Sequence, residues 1–222
     1  MSLRNRRPDA AGRAALNLYR TAPASVRAHV AIRWWSAPFP TISAALPRSG
    51  RIVEIGCGHG LFSAYAALDA PERTVVGVDI DADKIGYAQA SALEMERLGF
   101  RVAPSGAVPD GPWDAAVFVD VLYLLPAAEQ RRLISEAVAA LAPGGVVVIK
   151  EMGTEPAWKV RWNTAQETIS VKVLRITEGG SFDFVAPDVM AGWLGELGLD
   201  VELRRLDIGR VHPHHLLVGR RH

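Results

Sequence analysis

The residue types best suited to holding a ligand gather in the run Val53-Glu-Ile-Gly-Cys-Gly-His-Gly60. Glycines at 56, 58 and 60 let a backbone turn sharply and approach a ligand closely, and a helix that starts beyond them offers free N–H donors. Asp79 follows about twenty residues later, where an acid at a strand end can accept both hydroxyls of a ribose. Together these features point to a nucleoside, although a glycine-rich loop alone is also the tight turn of any α/β protein. The spacing narrows the ligand further. A dinucleotide site has G-x-G-x-x-G, with its N–H groups turned to a pyrophosphate, whereas here Gly56, Gly58 and Gly60 alternate and Glu54 precedes them. An acid beside the loop repels a pyrophosphate and suits a ligand that carries a sulfonium and an amino group.

Proton-transfer candidates sit near the expected strand ends: His59, Asp120, Tyr123 and Glu151. His59 has the alternative of an ordinary structural loop residue. Downstream, Trp158, Lys159, Arg161 and Trp162 combine rings and cations that can hold an aryl or acyl chain bearing an anionic group. Those tryptophans can equally pack an inserted helix on the sheet. His212, His214 and His215 do not suggest a metal, because a strand turns His214 and His215 to opposite faces and no carboxylate pair lies nearby. Cys57 is the single cysteine, so the chain has no internal disulfide and no thiolate cluster, as in a reducing compartment.

These residues need elements to position them. Arg51 to Gly56 and Thr74 to Asp79 are short apolar runs that read as buried strands, with a helix over roughly 60 to 70 between them. Asp81 caps a second helix, on which Ile85, Ala88, Ala92 and Met95 share a face and which Gly99 ends. A weak strand from Phe100 to Ala103 follows, then a strong one from Asp114 to Asp120. Leu133, Ile134, Ala137, Val138 and Leu141 mark another helix, a Pro143-Gly144-Gly145 turn closes it, and Val146 to Ile149 is the next strand. Strand and helix alternating in this order predict right-handed crossovers and a doubly wound α/β sheet with helices on both faces.

The last third departs from that repeat. Thr164 and Glu167 form a capping box opening a helix with Ile169, Val173 and Ile176 on one side, stopped by Gly179-Gly180. A helix from Pro187 to Leu197 precedes two strands, Asp200 to Leu206 and His215 to Gly219, expected as an antiparallel hairpin at the sheet edge.

A chain of 222 residues, 49% hydrophobic, suits one sizeable core. We read residues 1–47 as a helical cap or lid and 48–222 as the main domain, with an inserted acceptor-side segment at about 153–186. The net charge of +1 gives no global field to attract nucleic acid. Locally, Arg4, Arg6, Arg7, Arg13, Arg20, Arg27 and Arg33 are opposed only by Asp9 before the first strand. That stretch reads as a solvated helix face, or, with Trp34 and Trp35, as a lid or a peripheral membrane contact. Without a signal-peptide pattern or an apolar run of spanning length, a soluble cytoplasmic protein is expected.

Four segments, taken in order, resemble the successive signatures of class I S-adenosylmethionine-dependent methyltransferases over roughly residues 48 to 220. They are E-x-G-C-G-x-G at 54–60, the acid in Gly77-Val-Asp-Ile-Asp81, the strand from Trp113 to Leu122, and Leu141 to Ile149 with its Pro-Gly-Gly. The resemblance implies a seven-stranded Rossmann-like sheet with an antiparallel last strand, and S-adenosylmethionine as cofactor. It gives Glu54 the loop and the cofactor amino group. It gives Gly56, Gly58 and Gly60 the methionine part, places Cys57 among the cofactor-binding residues, and gives Asp79 the ribose, Ile80 the adenine flank, and Asp120 the amino group or the acceptor. Where the family usually has an acid for the adenine amino group, this chain has Ser105-Gly106-Ala107. A weaker likeness to a bacterial subgroup of lipid, polyketide and aryl-polyene pathways implies a small aryl or acyl acceptor. A nicotinamide-dependent oxidoreductase and a non-catalytic adenosylmethionine-binding protein are the competing readings.

Overall fold

Apolar residues in the strands alternate between two separate cores, and that alternation dictates the layers. The computed structural model describes residues 7–103, 107–152, 183–206 and 214–222. Three helices come first, α1 (Ala10–Asn17), α2 (Ala24–Ser36) and the short α3 (Phe39–Ser43). Then follow β1 (Ser49–Ile55), α4 (Leu61–Asp69), β2 (Glu72–Asp79), α5 (Ala82–Ser91), β3 (Leu98–Val102) and β4 (Trp113–Val119). After a single 3-10 turn at Leu122–Leu124 come α6 (Ala127–Ala139), β5 (Leu141–Met152), α7 (Pro187–Glu196), β6 (Leu199–Arg205) and β7 (His214–Arg221).

The strands form one seven-stranded sheet in the order β3-β2-β1-β4-β5-β7-β6. All are parallel except β7, which runs antiparallel to both β5 and β6. On one face Ile52, Val75, Ala115, Val117 and Val148 pack with residues of α1 to α5. On the other, Val53, Val76, Ala116, Phe118 and Val147 pack under α6 and α7. The middle of β4 is buried on both faces, as expected of a central parallel strand covered by helices.

Several boundaries differ from expectation for local reasons. The second aspartate-capped helix stops at Ser91, short of Met95 and Gly99, because the Met95 N–H turns back to the Ala92 carbonyl. β3 therefore begins at Leu98, whose side chain is buried and whose backbone pairs with Val75, and Gly99 is a strand residue. Pro143-Gly144-Gly145 does not precede β5 but lies within it, as a bulge: Trp113 pairs with Leu141 while Ala115 pairs with Val146. The expected antiparallel pair does form the sheet edge, with β6 outermost and β7 between it and β5. The helix expected from Thr164 lies outside the described residues.

The amino-terminal helices are built into the first core. Tyr19, Val26, Val30 and Trp34 are all buried there. Trp34 sets its ring edge-on to Phe39 and Tyr65, with centroids 5.6 and 5.2 Å away. Asp9 caps α1 by accepting the Gly12 N–H at 2.7 Å and also accepts the Tyr65 hydroxyl at 2.9 Å, fixing α1 to α4.

Candidate functional site

The glycine loop leaves β1 at its carboxyl end and turns into α4 through Gly56, Gly58 and Gly60, all with positive φ. A side chain at Gly56 would meet Val121 at 2.3 Å and one at Gly60 would meet Phe100 at 2.3 Å, so packing requires glycine at both. Gly58 differs, because a Cβ there would meet nothing within 4 Å. It borders a cavity of about 510 Å³ at the carboxyl ends of β1, β2 and β4, the end of an open α/β sheet where ligands bind.

The cavity wall includes Glu54, Cys57, His59, Asp79, Ile80, Asp120 and Tyr123, so the structure brings these expected site residues together. Glu54 is buried and accepts the Ser63 hydroxyl at 2.5 Å. Burial raises its carboxyl to about 7, opposed by that hydrogen bond and by the charge of Arg33. Asp79 accepts the Gly58 N–H on one oxygen at 2.7 Å and the Asp81 N–H on the other at 2.9 Å. Each oxygen keeps further acceptor capacity. The Cys57 thiol is buried and pushed well above its usual range by that burial.

At the end of β4, Asp120 adopts φ 54°, an uncommon conformation for a residue with a side chain. Its carboxylate lies between Lys150 Nζ, from β5, and Arg33 Nη1, from α2, the latter at 3.0 Å. Burial alone would raise Asp120, yet the two cations hold it well below its ordinary value, so it stays ionised. Glu151 does not line the cavity. It accepts the N–H groups of Val121 and Leu122 at 3.1 and 2.8 Å, supporting the turn that carries Asp120, and burial pushes it upward. Tyr123 stacks on Phe184, and burial raises its hydroxyl well beyond its usual range.

His59 packs its ring 4.7 Å from that of His29, centroid to centroid, and Tyr19 donates its hydroxyl to the His59 carbonyl at 2.5 Å. Burial lowers His59, and burial with the neighbouring ring lowers His29 to about 4, so both imidazoles are neutral near pH 7. His29 is a cavity residue that sequence reasoning missed, and Arg33 entered it only as one of the arginines of the solvated or lid reading. Their signal was present, because Val26, His29, Val30 and Arg33 recur at three and four residue steps on one face of α2. The solvated reading of the amino-terminal arginines is thus corrected at Arg33, whose guanidinium lines the cavity.

Trp158, Lys159, Arg161 and Trp162 lie outside the described residues, as do Ser105 and Gly106 of the expected adenine contact and His212. Among the described residues no group of three or more His, Cys, Asp and Glu is placed to hold a metal ion. No helix among them is long and apolar enough to cross a membrane.

A family model described as a methyltransferase domain matches residues 27–203. The chain is 26% identical over 167 residues to a fatty-acid O-methyltransferase of Mycolicibacterium smegmatis, covering 67% of this chain and 59% of that protein. It is 29% identical over 153 residues to a trans-aconitate 2-methyltransferase of Variovorax paradoxus, covering 64% and 58%. The chain thus spans less than two thirds of the length of these curated relatives. Among solved structures, a magnesium protoporphyrin IX methyltransferase from Synechocystis PCC 6803 with bound SAH is similar over 97% of this chain and 96% of that one. The TM-score is 0.64 and the identity 16%, a likeness of fold.

Proposed function

The chain belongs to the class I S-adenosylmethionine-dependent methyltransferase superfamily, and from that premise we propose that it methylates a small acceptor, an aryl, polyketide or acyl metabolite. The observation that carries this reading is the arrangement of Glu54, Gly58 and Asp79 around one cavity. It supplies a buried acid for an ammonium group, a loop position that opens into space, and an acid for ribose hydroxyls. The donor set thus fits adenosylmethionine. When bound, the cofactor supplies an electrophilic sulfonium methyl group.

The protein's part is then alignment and exclusion of water. Glu54 holds the amino group, the 56–60 loop passes the methionine part, Asp79 holds the ribose and Ile80 flanks the adenine. Asp120 is a weak proton acceptor because two cations stabilise its ionised form. For an acceptor that must lose a proton, the neutral ring of His59 is the group in this wall that we assign to take it, since burial and the neighbouring ring lower His29 to about 4 and make it a weak acceptor. Tyr123, held protonated, can donate a hydrogen bond but does not serve as a base. Glu151 positions the Asp120 turn.

Calorimetric titration with S-adenosylmethionine and, separately, with NADH tests the cofactor. Binding of the first alone, weakened about tenfold or more by Asp79→Ala, is expected; binding of NADH instead overturns the reading. Transfer of a tritiated methyl group to an aryl or acyl acceptor separates the enzyme from a protein that only binds the cofactor.

Residues 1–47 serve as a cap in this reading, supported by His29, Val30 and Arg33 in the cavity wall. The acceptor-side role of Lys159 and Arg161 is proposed from sequence, and alanine at either should raise acceptor KM while leaving cofactor affinity unchanged. Exposed Ile32 and Trp35 on α2 favour a peripheral membrane contact, which liposome sedimentation of Trp35→Ala against the parent chain tests.

A further inference from the structure

Charge is unevenly divided along the cavity wall. Its lysine and arginine side chains are Arg33, Lys84 and Arg132. Lys84 pairs with Asp81, and Arg132 pairs with both Glu129 and Glu136. Arg33 shares Asp120 with the fully buried Lys150, so two cations face one carboxylate. The other titratable groups facing Asp120 are Glu151, Tyr123 and His214. Glu151 spends one oxygen on two backbone N–H groups and is pushed toward its neutral acid by burial, and the Tyr123 hydroxyl is kept protonated.

The guanidinium of Arg33 uses Nη1 on Asp120 at 3.0 Å and Nη2, weakly, on the Val119 carbonyl at 3.5 Å. Its remaining N–H donors have no partner among the described residues, and its side chain is 30% exposed where it borders the cavity. A planar fork held in place from behind, with donors left over in front, is the geometry that receives a planar anion. The left-handed backbone at Asp120 is a conformation such sites sustain when the surroundings over-determine it.

We propose that Arg33 is a carboxylate-binding residue of the cavity, its guanidinium oriented by Asp120 and Lys150. Two ligands can bring that carboxylate. One is the amino-acid end of the cofactor, whose ammonium Glu54 complements; this arm rests on the methyl-transfer reading. The other is a carboxylic acid acceptor.

The test uses the full chain and the variants Arg33→Gln and Arg33→Lys, each checked for a cooperative thermal transition. S-adenosylhomocysteine is titrated against its decarboxylated counterpart, 5′-deoxy-5′-(3-aminopropylthio)adenosine. Octanoate is titrated against octanamide, with and without S-adenosylhomocysteine. The parent chain should prefer the carboxylate member of at least one pair by about tenfold or more, and Arg33→Gln should erase that preference. Arg33→Lys keeps the charge without the fork and should retain only part of it, which decides the matter if the Gln variant does not fold. A preference in the first pair identifies the cofactor as the source, and one in the second identifies the acceptor. The proposal is overturned if the parent chain shows no preference in either pair, or if a folded variant keeps the full preference. Failure of S-adenosylhomocysteine to bind the parent chain would instead sink the methyl-transfer reading, leaving the octanoate pair to judge Arg33.

Discussion

At Glu54, burial outweighs the hydroxyl of Ser63, and the carboxyl rises from 4.5 to about 7. The folded chain therefore holds a proton there that the unfolded chain has already released. Its contribution to stability is full below 4.5 and is lost as pH rises to about 7. Urea denaturation of the ligand-free protein across that window should show the decline, and Glu54→Gln should flatten it. Recognition of an ammonium group needs the ionised form, so adenosylmethionine affinity should rise about tenfold from around pH 6 to around pH 8. Ser63→Ala removes a donor to the carboxylate and should move that rise to higher pH, read by the same titration. Lys150 forms a buried ion pair with Asp120. Replacing it with methionine leaves the carboxylate still neutralised by Arg33 and should therefore cost less in chemical denaturation than the roughly 3–5 kcal/mol of stranding a buried charge with no partner. Adding Asp120→Asn removes the ion-pair partner of Arg33 as well and should deepen that loss.

The β1 to α4 connection separates tightly packed positions from one open to the cavity within five residues. Gly60 has φ 78° and faces the Phe100 ring, so Gly60→Ala strains both backbone and core. It should lower unfolding free energy by roughly 1–3 kcal/mol. Gly58 also has positive φ but faces open space, so Gly58→Ala should cost about 1 kcal/mol in stability while weakening cofactor binding strongly. Thermal melts with and without S-adenosylhomocysteine distinguish the two; equal ligand-induced shifts in both variants would remove Gly58 from the binding surface. Elements of this kind were readable beforehand because each is contiguous. The glycines, the strand-ending Asp79 and the Asp81 cap lie within a few residues of the backbone they shape. The early end of α5 and the bulge in β5 were not, since pairing of Leu98 with Val75 and of Leu141 with Trp113 decides them across the sheet.

For the molecule as a whole, the amino-terminal helices are part of the core that also carries the sheet. Removing residues 1–36 would delete buried Tyr19, Val26, Val30 and Trp34, each worth about 1.5–3 kcal/mol of burial. That loss is comparable with the entire stability of a domain, so the truncated chain should lose its cooperative thermal transition rather than simply gain an open site. A truncation that kept both its transition and its cofactor affinity would show the cap to be separable. By itself the sequence determined the alternating order of strands and helices, the layers they form, and the grouping of Glu54, Gly58 and Asp79, which line one cavity. Those properties follow from periodicity and from spacing along the chain. The tertiary structure alone decided that Arg33 lines a cavity, that Asp120 is shared by two cations, and that Glu151 supports a turn. The partners in the first contact lie 87 residues apart, and a charged residue on a helix has no local mark of being paired until packing removes it from water.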